Sequence, residues 1–409
     1  MRILILHRIP NELIRYADGI DHLAHEVTYV GTAERMATLP PDLPCIRIQR
    51  PGVGDTAAEV LAAVADRPRP DLVVALSEYD LIAAARVREA LGVPGDREDD
   101  VIPVRDKVVM KAAVERAGLR VPRFLPLPVA LADAHSIPWT GPTVLKPLDG
   151  AASQDVCIFD SLAAALDSVR GDGLPAGADA AGFEIEEFVA GPIIHVDGVV
   201  VDGEPVAIQA SRYVGTCLGY IDGQPVGSVQ IDTTETIAEW ALACLRAVGI
   251  RTGLFHLEGI ETPAGPVFLE VGARFGGADI VDTFALARGV HMPSSQLRAW
   301  TDGRDSRLAV RTPDSDALYG WFVWPGHHLG DEHCRIRGAE PFRDSPLAWR
   351  WVQRKDREPI TTSLSFAYSD VPLAGIVGPA PSSVLEKFLG ELFDTVRVEA
   401  GSAMEACHD

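Results

Sequence analysis

Two glutamates lie on segments that a β-hairpin would place face to face. Residues 254–260 and 267–271 have the composition of strands, and the segment 261–266 between them is rich in turn residues. With the turn centred in that segment, Glu258 pairs with Glu270. Like charges directly opposite each other repel, so this register predicts a cation between them. Mg²⁺ suits the pair, because it binds one or two carboxylates together with phosphate oxygens. The alternative is an exposed hairpin face with two solvated acids.

Composition limits the class of protein and its partners. The 409 residues leave room for two to four domains, and 47% of them are hydrophobic. The net charge of −21 argues against nucleic-acid and anionic-membrane partners, which need basic surfaces. No apolar run approaches the roughly 20 residues of a membrane span. Six scattered cysteines without a C-x-x-C pair indicate a reduced, cytoplasmic protein. A homodimer is only the commonest default for its assembly.

The first hundred residues alternate short apolar strands with helices. Strands are predicted at 3–6, 26–30 and 71–76, and helices at 55–65 and 79–91. This βαβ pattern predicts a parallel sheet. The region has no G-x-G-x-x-G motif, so nothing supports a dinucleotide site there.

Further elements continue the α/β pattern into an α+β central part. Helices are predicted at 107–117, 161–169 and 231–248, and strands at 142–147, 183–189, 195–201, 205–210, 254–260 and 267–271. The last hundred residues have no pattern that predicts a role.

Six segments of the chain, in order, resemble those of ATP-grasp enzymes between about residue 70 and residue 300. They are Arg105-Asp-Lys107, Val144-Leu-Lys146-Pro147, the small-residue loop 149–153, Glu184 to Pro192, His256-Leu-Glu258, and Leu269 to Gly277. The resemblance implies an ATP-grasp fold with an N-terminal Rossmann-like parallel-sheet domain. The expected domains are 1–102, a lid-bearing subdomain 103–190, a core subdomain 191–305 and a C-terminal α+β subdomain 306–409.

The resemblance also implies a nucleotide site. Lys107 and Lys146 are expected to neutralise the ATP phosphates, and Lys107 stands at a predicted helix N-terminus, which favours anions. The loop around Ser153 is expected to donate backbone N–H groups to phosphates. The remaining implied contacts are those of the adenine linker and of a phosphate-binding cation: Glu186, Glu187 and Val189 for adenine, and Arg212 for phosphate.

The metal and substrate residues follow from the same resemblance. Glu258 and Glu270 are the expected ligands of Mg²⁺ or Mn²⁺, although Gly272 stands where the family often has a third ligand, Asn. Arg274 is expected to meet the transferred phosphoryl group or the substrate carboxylate. The remaining candidates for substrate contact are Glu78, His195, Asp197 and His256.

The implied activity is that of a carboxylate–amine ligase acting on an amino acid. ATP phosphorylates the carboxylate, and an amine then attacks the acylphosphate to give an amide. Three alternatives remain open at this point. They are loading of an amino acid onto the thiol of an acyl-carrier protein, a degenerate nucleotide-binding regulatory protein, and a kinase.

Overall fold

The structure, a computed structural model, describes residues 1–150, 153–171, 173–302, 310–311, 314–355 and 358–401. The expected lid residues Ala151 and Ala152 and the expected domain boundary at 305/306 lie outside the described residues. In the part of the chain that is described, no helix is long and apolar enough to cross a membrane.

The N-terminal unit is the predicted parallel sheet. Its strands lie in the order β3-β2-β1-β4, all parallel. They are β1 (Arg2–Leu6), β2 (Glu26–Gly31), β3 (Ile46–Gln49) and β4 (Leu72–Ala75). The helices are α1 (Asn11–Ile14), α2 (Tyr16–Gly19), α3 (Ala33–Met36), α4 (Thr56–Ala63), α5 (Leu81–Leu91) and α6 (Glu98–Val101).

A small antiparallel sheet follows, in the order β5-β8-β6-β7. Its strands are β5 (Phe124–Pro126), β6 (Thr143–Pro147), β7 (Cys157–Phe159) and β8 (Phe183–Glu187). The helices of this part of the chain are α7 (Lys107–Arg116), α8 (Leu127–Ala132) and α9 (Leu162–Arg170). Helix α7 begins where the sequence predicts, because the Asp106 carboxylate caps it by accepting the N–H groups of Val108 and Val109.

The largest sheet has eight strands in the order β13-β12-β9-β10-β11-β14-β17-β16. They are β9 (Ile193–Val201), β10 (Glu204–Val214), β11 (Val226–Ile231), β12 (Gly253–Ile260), β13 (Val267–Gly272), β14 (Leu318–Trp324), β16 (Ala348–Gln353) and β17 (Leu373–Ala380). Strands from the C-terminal hundred residues therefore extend the same sheet that carries the predicted hairpin. A separate pair, β15 (Cys334–Arg337) with β18 (Arg397–Ala400), completes the strands.

Helices cover this sheet, and the main core lies beneath them. They are α10 (Cys217–Ile221), α11 (Glu235–Val248), α12 (Ile280–Arg288), α13 (Met292–Asp302), α14 (Glu340–Arg343) and α15 (Ser382–Thr395). The predicted helix start at 231 is wrong, since strand β11 ends there. The helix begins only after Thr234, whose hydroxyl accepts the N–H of Ile237.

Candidate active site

Two cavities of about 370 and 450 Å³ meet above the β12–β13 hairpin. The smaller lies between the small sheet and the large one, and is here called the nucleotide cavity because it is lined by the lysines that the sequence resemblance assigns to ATP phosphates. The larger, here called the second cavity, lies between the N-terminal unit and the large sheet. The residues that line both are Ser153, Tyr213, Cys217, Glu258 and Glu270. A ligand in one cavity would therefore meet a ligand in the other at these residues.

The predicted register of the hairpin is confirmed. Glu258 lies directly opposite Glu270, and His256 lies opposite Gly272. The Tyr213 hydroxyl donates to Oε1 of Glu258 at 2.8 Å, and Nε2 of His256 lies 3.3 Å from the same oxygen. Among the described residues these contacts fall on Oε1, so the other carboxylate oxygen is left for a cation.

A buried chain of hydrogen bonds stands behind Glu258. Asp197 accepts from Nδ1 of His256 at 2.8 Å and lies 2.5 Å from Nδ1 of His195, whose Nε2 contacts Ser228 at 2.7 Å. These bonds account for the close approach of the three side chains without a metal ion. Only His256 of the three lines a cavity. The substrate contacts expected for His195 and Asp197 are therefore contradicted by their burial behind it.

The charges within this hydrogen-bonded group keep the carboxylates of Asp197 and Glu258 ionised. Burial alone would raise the pKa of Asp197, but the charges of His256 and His195 hold it well below its usual range. Burial would lower the pKa of His256, whereas Asp197 and Glu258 raise it to about 9. Burial likewise opposes ionisation of Glu258, and contact with His256 and Tyr213 lowers its pKa. Glu258 is therefore held as an anion, which is the form that binds a cation.

Both predicted lysines line the nucleotide cavity. Lys107 Nζ donates to the carbonyl of Gly150 at 2.6 Å and lies 3.4 Å from Glu270. Lys146 Nζ donates to Glu186 at 2.8 Å. Burial alone would lower the pKa of Lys146, but the charges of Glu186, Glu184 and Glu270 raise it. Both lysines are therefore held at the cavity by acids.

Lys111, which the sequence analysis missed, binds the carboxyl groups of Glu184 and Glu186. Its ammonium is fully buried and donates to Glu184 at 2.7 Å and to Glu186 at 2.5 Å. The sequence offered a signal in Glu184 and Glu186, because alternate acids on one face of a buried strand need cations. With Lys146, the cluster contains two amino groups and two carboxyl groups, and burial raises the pKa of Glu184.

Three contacts predicted for ATP disagree with the structure. The Glu186 carboxylate is taken by Lys111 and Lys146, and that of Glu187 by the backbone and guanidinium of Arg123, so neither side chain is free to accept from adenine. Arg212 lines neither cavity and is bound to Glu261 and Glu386. Side chains alternate along a strand, so Arg212 faces away from the surface that its neighbour Tyr213 shares with Glu258.

The other residues expected to contact the nucleotide line the nucleotide cavity. Val189 and Glu187 line the nucleotide cavity, and Ser153 lines both cavities. Ser153 has a positive φ of 56°.

Arg274 and Glu78 both line the second cavity and form an ion pair there. Nε of Arg274 lies 2.6 Å from Oε2 of Glu78, and Arg105 contacts the other oxygen of Glu78 at 2.5 Å. Burial would raise the pKa of Glu78, but these two arginines lower it. Glu78 therefore acts here as a bridge that holds Arg274 at the cavity, beside the predicted metal ligands.

The remaining walls of the second cavity come from segments to which the sequence analysis assigned no role. Ile9 and Leu76 belong to the N-terminal unit, Trp321 to β14, and Phe366 to the loop before β17. Apart from the concentration of tryptophans in the C-terminal region, no local pattern marks them. They come together because the N-terminal unit packs against the large sheet and because β14 and β17 are neighbours in that sheet.

The donor set at the hairpin fits a hard divalent cation. Both groups are carboxylates, which Mg²⁺ and Mn²⁺ accept as ligands. Gly272 supplies no side-chain ligand. Water or phosphate oxygens would complete the coordination shell.

Known proteins with similar sequences or structures include amino-acid ligases. The L-arginine-specific L-amino acid ligase of Bacillus subtilis is 24% identical over 273 residues, 62% of this chain and 63% of that protein. The alanine–anticapsin ligase of Bacillus subtilis strain 168 is 21% identical over 84% of this chain and 75% of that protein. The aligned part of the chain thus spans less than two thirds of the arginine-specific relative. No family model matches the chain.

The fold is shared over the whole length of a solved structure. The L-amino acid ligase from Bacillus licheniformis superposes with a TM-score of 0.69 at 20% identity, covering 98% of both chains. The predicted ATP-grasp fold is confirmed by this similarity.

Proposed function

We propose that the chain is an ATP-dependent ligase that joins the carboxylate of an amino acid to an amine through an acylphosphate. The observation that carries the proposal is the position of Glu258 and Glu270 at the junction of two cavities. One cavity is lined by lysines suited to phosphates, and the other by an arginine suited to a carboxylate. Relatives named as amino-acid ligases support the same reaction.

ATP occupies the nucleotide cavity in this proposal. The adenine lies against Val189 and the backbone around Glu187, while Lys107 and Lys146 exchange their present partners for phosphate oxygens. Glu258 and Glu270 hold Mg²⁺ or Mn²⁺, which when bound neutralises charge on the phosphates.

The reacting carboxylate lies in the second cavity beside Arg274. One of its oxygens attacks the γ-phosphorus of ATP, and ADP leaves. The amine nitrogen then attacks the acyl carbon, inorganic phosphate leaves, and the amine gives up a proton. Most of the acceleration comes from positioning and charge neutralisation. This explains why the site is built of lysines, arginines and carboxylates.

Phosphate release tests the proposal. The purified protein is mixed with ATP, Mg²⁺ and a panel of single and paired amino acids, and mass spectrometry identifies the product. We expect amino-acid-dependent release that Glu270→Ala abolishes. The matched control is Glu261→Ala, since Glu261 lies just after the same strand but lines neither cavity.

Two results would contradict the proposal. Phosphorylated amino acid without amide would indicate a kinase. Release that appears only when an acyl-carrier protein is added would indicate thiol loading.

A further inference from the structure

One wall of the second cavity is the open face of a hydrophobic cluster. Five lining residues pack within or against this cluster, which also contains the buried Tyr220, Val226, Val323, Val371, Ala374 and Ile376. We call these five the apolar wall: Tyr213, Ala278, Ile280, Trp321 and Phe366. They come from five different elements or loops. Their shared cluster nevertheless makes them one continuous surface.

Packing behind the apolar wall holds it in place. The ring of Phe366 stacks on Tyr220 with centroids 4.3 Å apart, and Trp321 meets Tyr213 edge-on at 6.3 Å. Ile280 and Trp321 are each only 4% exposed. The surface is therefore formed before any ligand arrives, and a ligand does not have to order it.

The charged groups of the second cavity are already committed. Its acids among the described lining residues are Glu78, Glu258 and Glu270. Glu78 is held by two arginines, and the other two are the proposed metal ligands. A substrate with a cationic side chain would therefore find no free carboxylate there. Burying an unpaired charge is costly.

The basic groups away from Arg274 are also paired. Arg8 makes two bonds to Asp80, at 2.6 and 2.8 Å, and Arg35 lies 3.4 Å from Glu34. An acidic side chain would have to compete with these carboxylates. An apolar side chain displaces no partner and gains the apolar wall.

From this arrangement we infer that the activated amino acid carries a large apolar side chain, such as that of leucine, methionine or phenylalanine, packed on the apolar wall. The inference rests on the proposed function, because it assigns the carboxylate donor to the second cavity. It separates this chain from the relative whose name specifies arginine. The separation rests on the chemistry of the cavity wall.

Phosphate release with single amino acids at matched concentrations tests the inference first. We expect kcat/KM for leucine, methionine or phenylalanine to exceed that for alanine, arginine or glutamate by roughly tenfold to a hundredfold, the ratio that burial of one large apolar side chain supports. A preference for arginine, lysine or an acidic amino acid would overturn the inference and leave the ligase reaction standing.

A charge placed in the apolar wall makes the test sharper. Ala278 has φ of 48°, a left-handed conformation that Asp and Asn tolerate better than most residues. Ala278→Asp should lower kcat/KM for leucine by at least about tenfold and create activation of lysine or arginine. Ala278→Asn is the matched control, since it has the same shape without the charge. It should not activate the basic amino acids.

A binding measurement tests the preference for apolar amino acids independently of the ligase reaction. With a non-hydrolysable ATP analogue and Mg²⁺ present, apolar amino acids should raise the melting temperature of the wild-type protein more than arginine does. Stabilisation by apolar amino acids without phosphate release would overturn the proposed reaction but support the inference. Equal stabilisation by all amino acids, or none by any, would overturn the inference.

Discussion

The nucleotide cavity and the second cavity share a border but are built in different ways. The nucleotide cavity presents paired charges carried mainly by strands β6, β8, β12 and β13 and by the start of α7. The second cavity presents an apolar surface assembled from segments as far apart as residue 9 and residue 366. In the proposed function, the nucleotide cavity holds the phosphates of ATP and the second cavity recognises an amino-acid side chain.

The difference shows that one fold positions charged groups and apolar surfaces in different ways. Charged groups need partners at defined distances, so neighbouring strands of known register position them best. An apolar wall needs only close packing, which residues from any segment can supply. We therefore expect changes in the nucleotide cavity to affect catalysis with every substrate. Changes in the second cavity should affect the choice of substrate.

Lys111→Met should have the largest effect, and it acts on stability. The change leaves Glu184 and Glu186 buried with only Lys146 to balance them, and loss of one partner from a buried ion cluster costs about 3–5 kcal/mol. Urea denaturation would measure the free energy of unfolding. Adding Glu184→Gln should recover part of the loss, and a double variant no more stable than Lys111→Met would contradict this account.

Lys146→Met should come next, and it acts on the nucleotide. Loss of a charged contact to phosphate should lower kcat/KM for ATP by about tenfold to a hundredfold while leaving the order of preference among amino acids unchanged. Steady-state kinetics with several amino acids would measure both. Lys146→Arg keeps the charge and serves as the control. A changed amino-acid preference would erase the distinction between the two cavities.

Trp321→Ala should have a smaller effect on kinetics, confined to the second cavity, although loss of this buried ring should also cost about 3–5 kcal/mol of stability. Removing the ring shortens the apolar wall, so KM for a large apolar amino acid should rise about tenfold while KM for ATP stays within about twofold. The comparison variant is Trp349→Ala, since Trp349 is 50% exposed and lines neither cavity. Equal rises in both KM values would show that the ring supports the whole site.

Arg212→Ala should have the smallest effect. Its partners Glu261 and Glu386 are partly exposed, and such ion pairs contribute about 0–1 kcal/mol. Kinetic constants for ATP should stay within about twofold of wild type. A tenfold rise in KM for ATP would restore the phosphate role that the sequence resemblance assigned to this residue.

The sequence predicts the structure best where one local pattern determines both the position of a residue and the direction of its side chain. The pairing of Glu258 with Glu270 follows from two short strands and one turn, so the register was correct. The start of α7 follows from Asp106. In both cases the determining residues lie within about 15 positions of each other.

The errors arose where a side chain's partners lie on other strands. Arg212 was assigned to phosphate, but its direction depends on strand alternation within a sheet whose register the sequence did not supply. The family resemblance assigns Glu186 to adenine, but the sequence does not show that Lys111 and Lys146 bind its carboxylate. The apolar wall could not be predicted at all, since Trp321 and Phe366 lie 45 positions apart and meet the cavity only through the order of β14 and β17.

The bridge from Glu78 to Arg274 has a consequence for folding. It joins residues 196 positions apart, and the bond from Glu78 to Arg105 joins residues 27 positions apart. We expect the contact over 196 positions to form late, because the chain must first close a large loop. The second cavity is therefore complete only after the N-terminal sheet has docked on the large one. During refolding, recovery of amino-acid binding reports assembly of the units, whereas circular dichroism reports formation of each sheet.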